Sequence, residues 1–314
     1  MAKLDELLAP FKLGFPIPGA VEKYIGNSSE PDAVAQSGGL FDDARANGYV
    51  NAVGQKLVAL SERPGYGFQF GIVTDPNPNA FALPNGHIYI TLGLLRLLRN
   101  EAQLANVLGH EVGHVTKSHS VNQIAFNMGA IGVAGLVTRM ANQLAGGGAI
   151  SKDDRETGKG LMAGVLANGY SRENEREADD VGQNLASKAG WDPSGMMDVM
   201  AVFKSLEKEK PQGIERLMTT HPLPGERITA AVERAQKLPA GEIAADRYAQ
   251  FLMSIGVSHE EIAQSGLTAA FSWMGNPGAA LVFGASSPWM KVAAIGTLVL
   301  GGGVIVWAVL SKKK

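Results

Sequence analysis

The sequence predicts an α+β protein that is predominantly helical, with a small β-sheet and a C-terminal transmembrane helix. Three observations point to this fold class. A capped helical stretch begins at Asn100, residues 86–91 alternate in polarity as a strand does, and residues 292–310 carry no charge. The chain of 314 residues is long enough for one or two domains with a full core.

Four segments are expected along the chain. Residues 1–40 form an N-terminal amphipathic segment, and residues 41–240 form the main domain. Short helices and a linker follow at 241–287, and residues 288–314 form a membrane anchor with a basic tail. The absence of cysteine excludes disulfide bonds and thiolate metal ligands, and a net charge of −2 gives no electrostatic case for binding nucleic acid.

The strand predicted at residues 86–91 has Ile88 and Ile90 on one face, which is the period-two pattern of a half-buried strand. A strand at the edge of a sheet can pair its backbone with an extended polypeptide, with limited demand on that polypeptide's sequence. If this strand is such an edge, the peptide-binding residues are Gly86, His87, Ile88 and Tyr89. An ordinary internal strand is the alternative.

The helix predicted from Asn100 has the signature of a capping box, because Gln103 follows the N-cap by three residues. The sequence His110-Glu111-Val112-Gly113-His114 lies within this helix. Residues four apart share a helix face, so the two imidazoles can bind one metal ion while Glu111 reaches a water molecule on it. This arrangement is typical of a zinc peptidase, and two surface histidines on an amphipathic helix are the alternative. Gly113 indicates close packing or close approach of a substrate.

A third protein ligand is needed, since a catalytic zinc usually has three with water in the fourth position. The best candidate lies about 60 residues further on, where Glu175 and Asp179 are four apart on a second predicted helix. Glu175 would bind the metal, and Asp179 would accept a hydrogen bond from a ligating imidazole. Glu and Arg alternate in this segment, so a solvated charged helix face is the alternative.

These motifs together resemble the M48 family of gluzincin metallopeptidases. HEVGH is followed by YSRENEREADDVG from residue 170 and by HPLPGER from residue 221. Upstream, YVNAVGQKL at 49–57 and NAFALPNGHIYIT at 79–91 resemble the family's early helix and its NAF…PGG segment, with Asn85 where glycine is usual. The resemblance covers roughly residues 40–235. It implies a zincin-like fold with one zinc ion per chain, whose ligands are His110, His114 and Glu175. It also implies that Glu111 is the base and that Asp179 is the hydrogen-bond partner of a ligating imidazole.

The resemblance also implies an endopeptidase, often one in protein quality control at membranes. We expect Glu111 to take a proton from the water that zinc holds and to pass it to the leaving amine. His221 is the candidate donor to the oxyanion, with Arg227 as a charge partner for an acidic group. Two alternatives are open for His221: it could cap the zinc in a resting state, or it could be a residue of a surface loop. Separately, a loop at residues 146–158 could cover the cleft. We expect a structural role for His119.

The expected substrates are unfolded, misfolded or membrane-associated proteins. The alternative function is a zinc-stabilised chaperone or assembly factor of the same fold with little proteolytic turnover, although a pure binder does not need Glu111. A structural membrane protein with fortuitous motifs is a second alternative, and it would hold no stoichiometric zinc. An oligomer is compatible with the sequence, but no feature indicates one.

The uncharged stretch at 292–310 has 19 residues, which as a helix span about 28 Å, close to the thickness of a hydrocarbon core. Trp289 and Trp307 lie near its ends, and three lysines close the chain. We expect a single-pass anchor in contact with membrane lipid, and a buried core helix is the alternative. The lysines favour a cytoplasmic C-terminus, whereas residues 1–10 lack the apolar run of a signal peptide, so the side of the membrane is left open.

Overall fold

The computed structural model describes residues 19–209, 214–222, 225–258, 260–261, 295–300 and 303–308. The chain divides into two units, Met1–Gly266 and Leu267–Lys314. Residues 1–18 of the N-terminal amphipathic segment predicted at 1–40 lie outside the described residues, which begin with the first helix at residue 19. The division at residues 241 and 288 stays a prediction.

The first unit is predominantly helical, as predicted. Its helices are α1 (Gly19–Gln36), α2 (Ala44–Val58), α3 (Leu92–Leu97), α4 (Glu101–Thr116), α5 (His119–Ala145), α6 (Lys152–Asn168), α7 (Arg172–Lys188), α8 (Gly195–Glu209), α9 (Ile214–Thr220), α10 (Gly225–Ala235) and α11 (Ala245–Ser254). Residues 152–158, expected to belong to a loop, form the start of α6, which is capped by the side chain of Ser151. The predicted loop is therefore confined to the short connection that follows α5.

The small sheet has the strands β1 (Gln69–Val73), β2 (Ala80–Ala82) and β3 (His87–Thr91), in the order β1-β3-β2. β3 pairs in parallel with β1 and antiparallel with β2. The prediction that residues 86–91 form a sheet edge is therefore wrong. β3 is the central strand because the short sequence Ala80-Phe81-Ala82 folds back on one side of it and β1 covers the other.

Helix α4 lies at the centre of the unit, and all of its residues are buried. The predicted N-cap is confirmed, since the Asn100 side chain accepts a hydrogen bond from the Gln103 N–H at 2.8 Å. The Gln103 side chain in turn accepts one from the Arg99 N–H at 2.7 Å. Leu104 and Leu108 are fully buried in the main hydrophobic core, so α4 is held on every side by the elements around it.

Helices α4 and α7 pack so closely that glycine is required where they touch. A Cβ added at Gly113 would lie 3.0 Å from the Cα of Ala178. One added at Gly109 would lie 2.9 Å from the carbonyl oxygen of Gly182, and one at Gly182 would lie 2.7 Å from the backbone nitrogen of His110. Gly113 therefore serves the close helix packing rather than the approach of a substrate.

The second unit contains the strands β4 (Ile295–Leu300) and β5 (Gly303–Ala308), which pair antiparallel. The prediction of a helix over residues 292–310 is therefore wrong for residues 295–300 and 303–308. β-Branched residues favour strands, and Gly301-Gly302 separates the two runs in the sequence as it does in hairpins. Within the described ranges no helix combines the length and apolar character that crossing a membrane requires. The predicted Trp289 interface residue and the basic tail lie outside the described residues.

Candidate active site

Three parts of the first unit meet at one buried point. Helix α4 supplies His110 and His114, and α7 supplies Glu175 one turn from its N-cap Ser171. His221 directly follows α9, where its backbone N–H closes the helix on the Leu217 carbonyl. Each i, i+4 pair expected from the sequence is thus placed on one helix face, and the α4–α7 packing brings the two faces together.

The site is a cluster of three imidazoles and one carboxylate. One ligand atom from each of His110, His114, Glu175 and His221 lies within 4.8 Å of the others, and all four residues are buried. The Nε2 atoms of His110 and His114 are 3.0 Å apart, and the Glu175 oxygens lie 3.6 Å and 3.3 Å from them. Imidazole nitrogens with one carboxylate oxygen are a donor set that zinc takes in catalytic sites, so these residues fit the metal.

Asp179 contacts His110 on the side of the ring that faces away from the cluster. Its Oδ1 lies 2.9 Å from Nδ1 of His110, which leaves Nε2 of that imidazole facing the cluster. Burial on its own would raise the pKa of Asp179, but the hydrogen bonds from His110 and Arg227 outweigh burial and lower the pKa. Asp179 is therefore an anion, the form that accepts the imidazole N–H.

Arg227 joins the two carboxylates of α7. Its Nε and Nη2 donate to Asp179 at 2.7 Å and 2.8 Å, and its Nη1 lies 2.6 Å from Glu175. Burial would raise the pKa of Glu175, but the charges of His221 and Arg227 outweigh burial and lower the pKa well below its usual value. Arg227 therefore forms ion pairs with both carboxylates of α7.

Glu111 lies beside the cluster and is buried, with 2% of its surface exposed. Its Oε1 is 3.8 Å from Nε2 of His221, and its Oε2 has no hydrogen-bond partner among the described residues. Burial raises the pKa of this carboxyl group. A buried carboxylate oxygen without a partner is costly, so the arrangement fits a group that takes up a polar partner during function.

His221 is not a surface-loop residue, since only 8% of its surface is exposed. Its Nδ1 lies 3.2 Å from Oε1 of Glu175, and its Nε2 lies 3.3 Å from the carbonyl oxygen of Ala80 in β2. Burial lowers the pKa of His221, but the carboxylates of Glu175 and Glu111 outweigh it and raise the pKa to about 9.

The predicted peptide-binding residues do not join the cluster. His87 and Tyr89 both bind the carboxylate of Glu30 on α1, and Ile88 is fully buried in the core. The strand that does reach the site is β2, through Ala80. β2 lies in the segment 79–91 that carries the family resemblance, but its three residues are too few for a periodic signal that would predict a strand.

An apolar pocket opens beside Glu111 and His110. Helix α8 supplies much of its wall through Met196, Met200 and Phe203. These residues could not be identified as pocket residues from the sequence, because their i, i+4, i+7 spacing is also that of any helix facing a core. The Tyr170 ring stacks on His114, with ring centroids 3.9 Å apart, and no local sequence pattern predicts this contact.

The comparisons with known proteins agree with this geometry. Residues 44–235 match the family model described as peptidase family M48. A beta-barrel assembly-enhancing protease of Yersinia pestis is 31% identical over 205 residues, which cover 63% of this chain and 41% of that relative. The protease of the same name from Escherichia coli (strain K12) is 29% identical over 207 residues, with the same coverage of 63% and 41%.

The mitochondrial metalloendopeptidase OMA1 of Schizosaccharomyces pombe is 31% identical over 180 residues, which cover 57% of this chain and 50% of that relative. This chain therefore spans half or less of the length of these three relatives.

Proposed function

Since this chain belongs to peptidase family M48, it is a zinc metallopeptidase, and we propose that it cleaves internal peptide bonds in unfolded or locally extended polypeptides. The observation that carries the proposal is the buried cluster of His110, His114, Glu175 and His221 beside a glutamate with a free carboxylate oxygen. The position of Glu111 beside the cluster and the protease names of the relatives support this proposal over the chaperone alternative.

In the proposed mechanism, His110, His114 and Glu175 hold one zinc ion. When bound, zinc polarises the scissile carbonyl and lowers the pKa of water. Glu111 takes the proton of the attacking water on Oε2 and carries it to the leaving amine. Burial raises the pKa of Glu111, and a carboxyl group that holds its proton more readily is suited to pass that proton to the leaving amine.

We propose that His221 is the fourth ligand of a resting form. Its Nδ1 lies 3.2 Å from Oε1 of Glu175, and one ligand atom from each of the four residues lies within 4.8 Å of the others. Catalysis needs an open position on the metal, so His221 must turn away before a substrate binds. After that turn, His221 would donate a hydrogen bond to the oxyanion of the substrate.

The proposed substrate site combines β2 with the apolar pocket. β2 pairs with β3 on one side, and no described strand covers its other edge, which reaches the cluster at Ala80. An extended polypeptide that pairs with this edge gains backbone hydrogen bonds without a demand on its sequence. The pocket formed by Met196, Met200 and Phe203 would then take a large apolar side chain next to the cleaved bond. Exposed apolar side chains on an extended backbone are typical of misfolded proteins.

The relatives' names refer to beta-barrel assembly and to mitochondria, so we extend the proposed substrates to membrane-associated proteins. Attachment of this chain to a membrane stays a prediction that rests on the apolar composition of residues 292–310. Its test is extraction of the full chain from membranes with alkaline carbonate. Retention in the pellet supports attachment, and full release contradicts it.

The proposal is tested by measuring zinc content together with cleavage of an unfolded protein. Wild type should hold about one zinc ion per chain and cleave the substrate, whereas His110→Ala should lose both properties. His87→Ala is the matched control, because His87 pairs with Glu30 away from the cluster. A wild-type protein without zinc, or a His110→Ala variant that still cleaves, would contradict the assignment of the ligands.

A further inference from the structure

His119 lies directly behind the ligand His114. The Nδ1 atoms of the two rings are 2.9 Å apart, and only 1% of the surface of His119 is exposed. The other ring nitrogen of His119, Nε2, lies 3.2 Å from the Glu177 carboxylate on α7. The three side chains therefore form a continuous chain of contacts that starts at the cluster and ends at an exposed carboxylate.

The hydrogen-bond pattern of this chain has one consistent solution. Nε2 of His114 faces His110 and Glu175, so it must be unprotonated to bind a metal. The proton of the neutral ring is then on Nδ1 and is donated to Nδ1 of His119. His119 in turn carries its proton on Nε2 and donates it to Glu177. A carboxylate at the end of the chain thus selects the tautomer of His114 that binds zinc.

The fold holds His119 in this place through a turn with an uncommon backbone. Ser118, between α4 and α5, has a φ of 54°, a left-handed conformation that is rare for residues other than glycine. The buried carboxylate of Glu22 accepts hydrogen bonds from the Ser118 hydroxyl and from Arg63. Arg63 also donates to the Val115 carbonyl at the end of α4. These contacts fix the turn that directs the His119 ring back towards His114.

We propose that His119 and Glu177 are positioning residues that hold His114 in its zinc-binding tautomer and orientation, as Asp179 does for His110. The proposal rests on the proposed function only in taking His114 as a zinc ligand. Partners of this kind raise the basicity of a ligating imidazole, and their loss costs about 10–100-fold in metal affinity. The two histidines of α4 would then be supported by two different residues of α7, Asp179 and Glu177.

The test is zinc affinity measured by competition with a chromophoric chelator, which does not depend on peptidase activity. His119→Leu removes the acceptor and should weaken zinc binding about 10–100-fold. His119→Asn keeps an oxygen acceptor close to the position of Nδ1 and should stay within a few-fold of wild type. His87→Leu is the matched control, since it removes a histidine–glutamate pair outside the cluster and should leave zinc affinity unchanged.

The thermal midpoint of each metal-free variant separates positioning from folding. The proposal is supported if His119→Leu loses zinc affinity, His119→Asn recovers it, and the metal-free midpoints of the two variants agree. Wild-type zinc affinity in His119→Leu overturns it. Equal losses of affinity in both variants, together with lowered midpoints, also overturn it and leave a structural role. A wild-type protein that binds no zinc would instead contradict the proposed function itself.

Discussion

The contact between α4 and α7 predicts an unusual response to a mild substitution, Gly182→Ala. The added Cβ would lie 2.7 Å from the backbone nitrogen of His110 and 3.1 Å from the carbonyl carbon of Gly109. Both are backbone atoms, which cannot rotate away as a side chain can. Ordinary contact at about 3.4 Å or more therefore requires the two helices to separate by about 0.7 Å at this point.

The size of the effect follows from two opposing contributions. Alanine in place of glycine stabilises a helix interior by about 1 kcal/mol, whereas overpacking of a tight contact costs about 1–3 kcal/mol. We expect a net loss of up to about 2 kcal/mol, or a thermal midpoint lower by up to roughly 8 °C for a unit of this size. Since α4 carries His110 and α7 carries Glu175, the same shift should weaken zinc binding by about tenfold.

Gly160→Ala is the matched control, because Gly160 is an exposed residue of α6 and a Cβ there meets no atom within 4 Å. This variant should be more stable than wild type by up to about 1 kcal/mol and should bind zinc unchanged. Urea denaturation of the metal-free proteins and chelator competition give the two quantities. If Gly182→Ala were as stable as Gly160→Ala and bound zinc as tightly, the argument from close helix packing would be refuted.

Three further predictions concern stability, metal and specificity. Burial would raise the pKa of Glu101, but hydrogen bonds from Arg247, Tyr49 and Trp191 outweigh burial and lower the pKa. The ionised Glu101 carboxylate therefore stabilises the fold above pH 4.5, and this stabilisation is lost as the pH falls through the pKa of the folded state. Glu101→Gln should thus cost about 2–3 kcal/mol in urea denaturation at pH 7, and the difference from wild type should shrink below pH 4.5; a constant difference would contradict this account. Removal of zinc by a chelator should lower the thermal midpoint of wild type, because the clustered carboxylates and imidazoles then lack their common partner. An unchanged midpoint would contradict the metal site. Met200→Trp should fill the apolar pocket and shift the preferred side chain beside the cleaved bond from large to small by about tenfold in kcat/KM on a peptide panel, whereas an unchanged preference would exclude this pocket from specificity.

The parts of the site that rest on local spacing could be predicted from the sequence. The His110 and His114 pair and the Glu175 and Asp179 pair each lie one helical turn apart, and this geometry holds for any α-helix. The N-cap at Asn100 was equally local. Such features need no knowledge of the rest of the fold, and they placed most of the candidate site.

The parts that depend on distant contacts could not be predicted in the same way. Nothing local shows that β1 pairs with β3 and turns it into a central strand, so the edge was assigned to the wrong segment. The sequence predicts no more than a structural role for His119, because its position behind His114 depends on the left-handed backbone of Ser118, which no local pattern indicates. Residues 295–308 are apolar, as a membrane helix is, and they are also rich in the β-branched residues that favour strands. The length of the apolar run favours the helix, whereas the structure has two strands.

The central claim is that Glu111 is the base of a zinc endopeptidase, and one comparison tests it most directly. Zinc-loaded wild type and Glu111→Gln are given the same unfolded protein substrate, and the metal content of both is measured. We expect about one zinc ion per chain in each protein and cleavage by wild type alone, because the side-chain amide of the glutamine cannot take up the proton of water. Cleavage by Glu111→Gln at the wild-type rate, with zinc bound in both proteins, would contradict it.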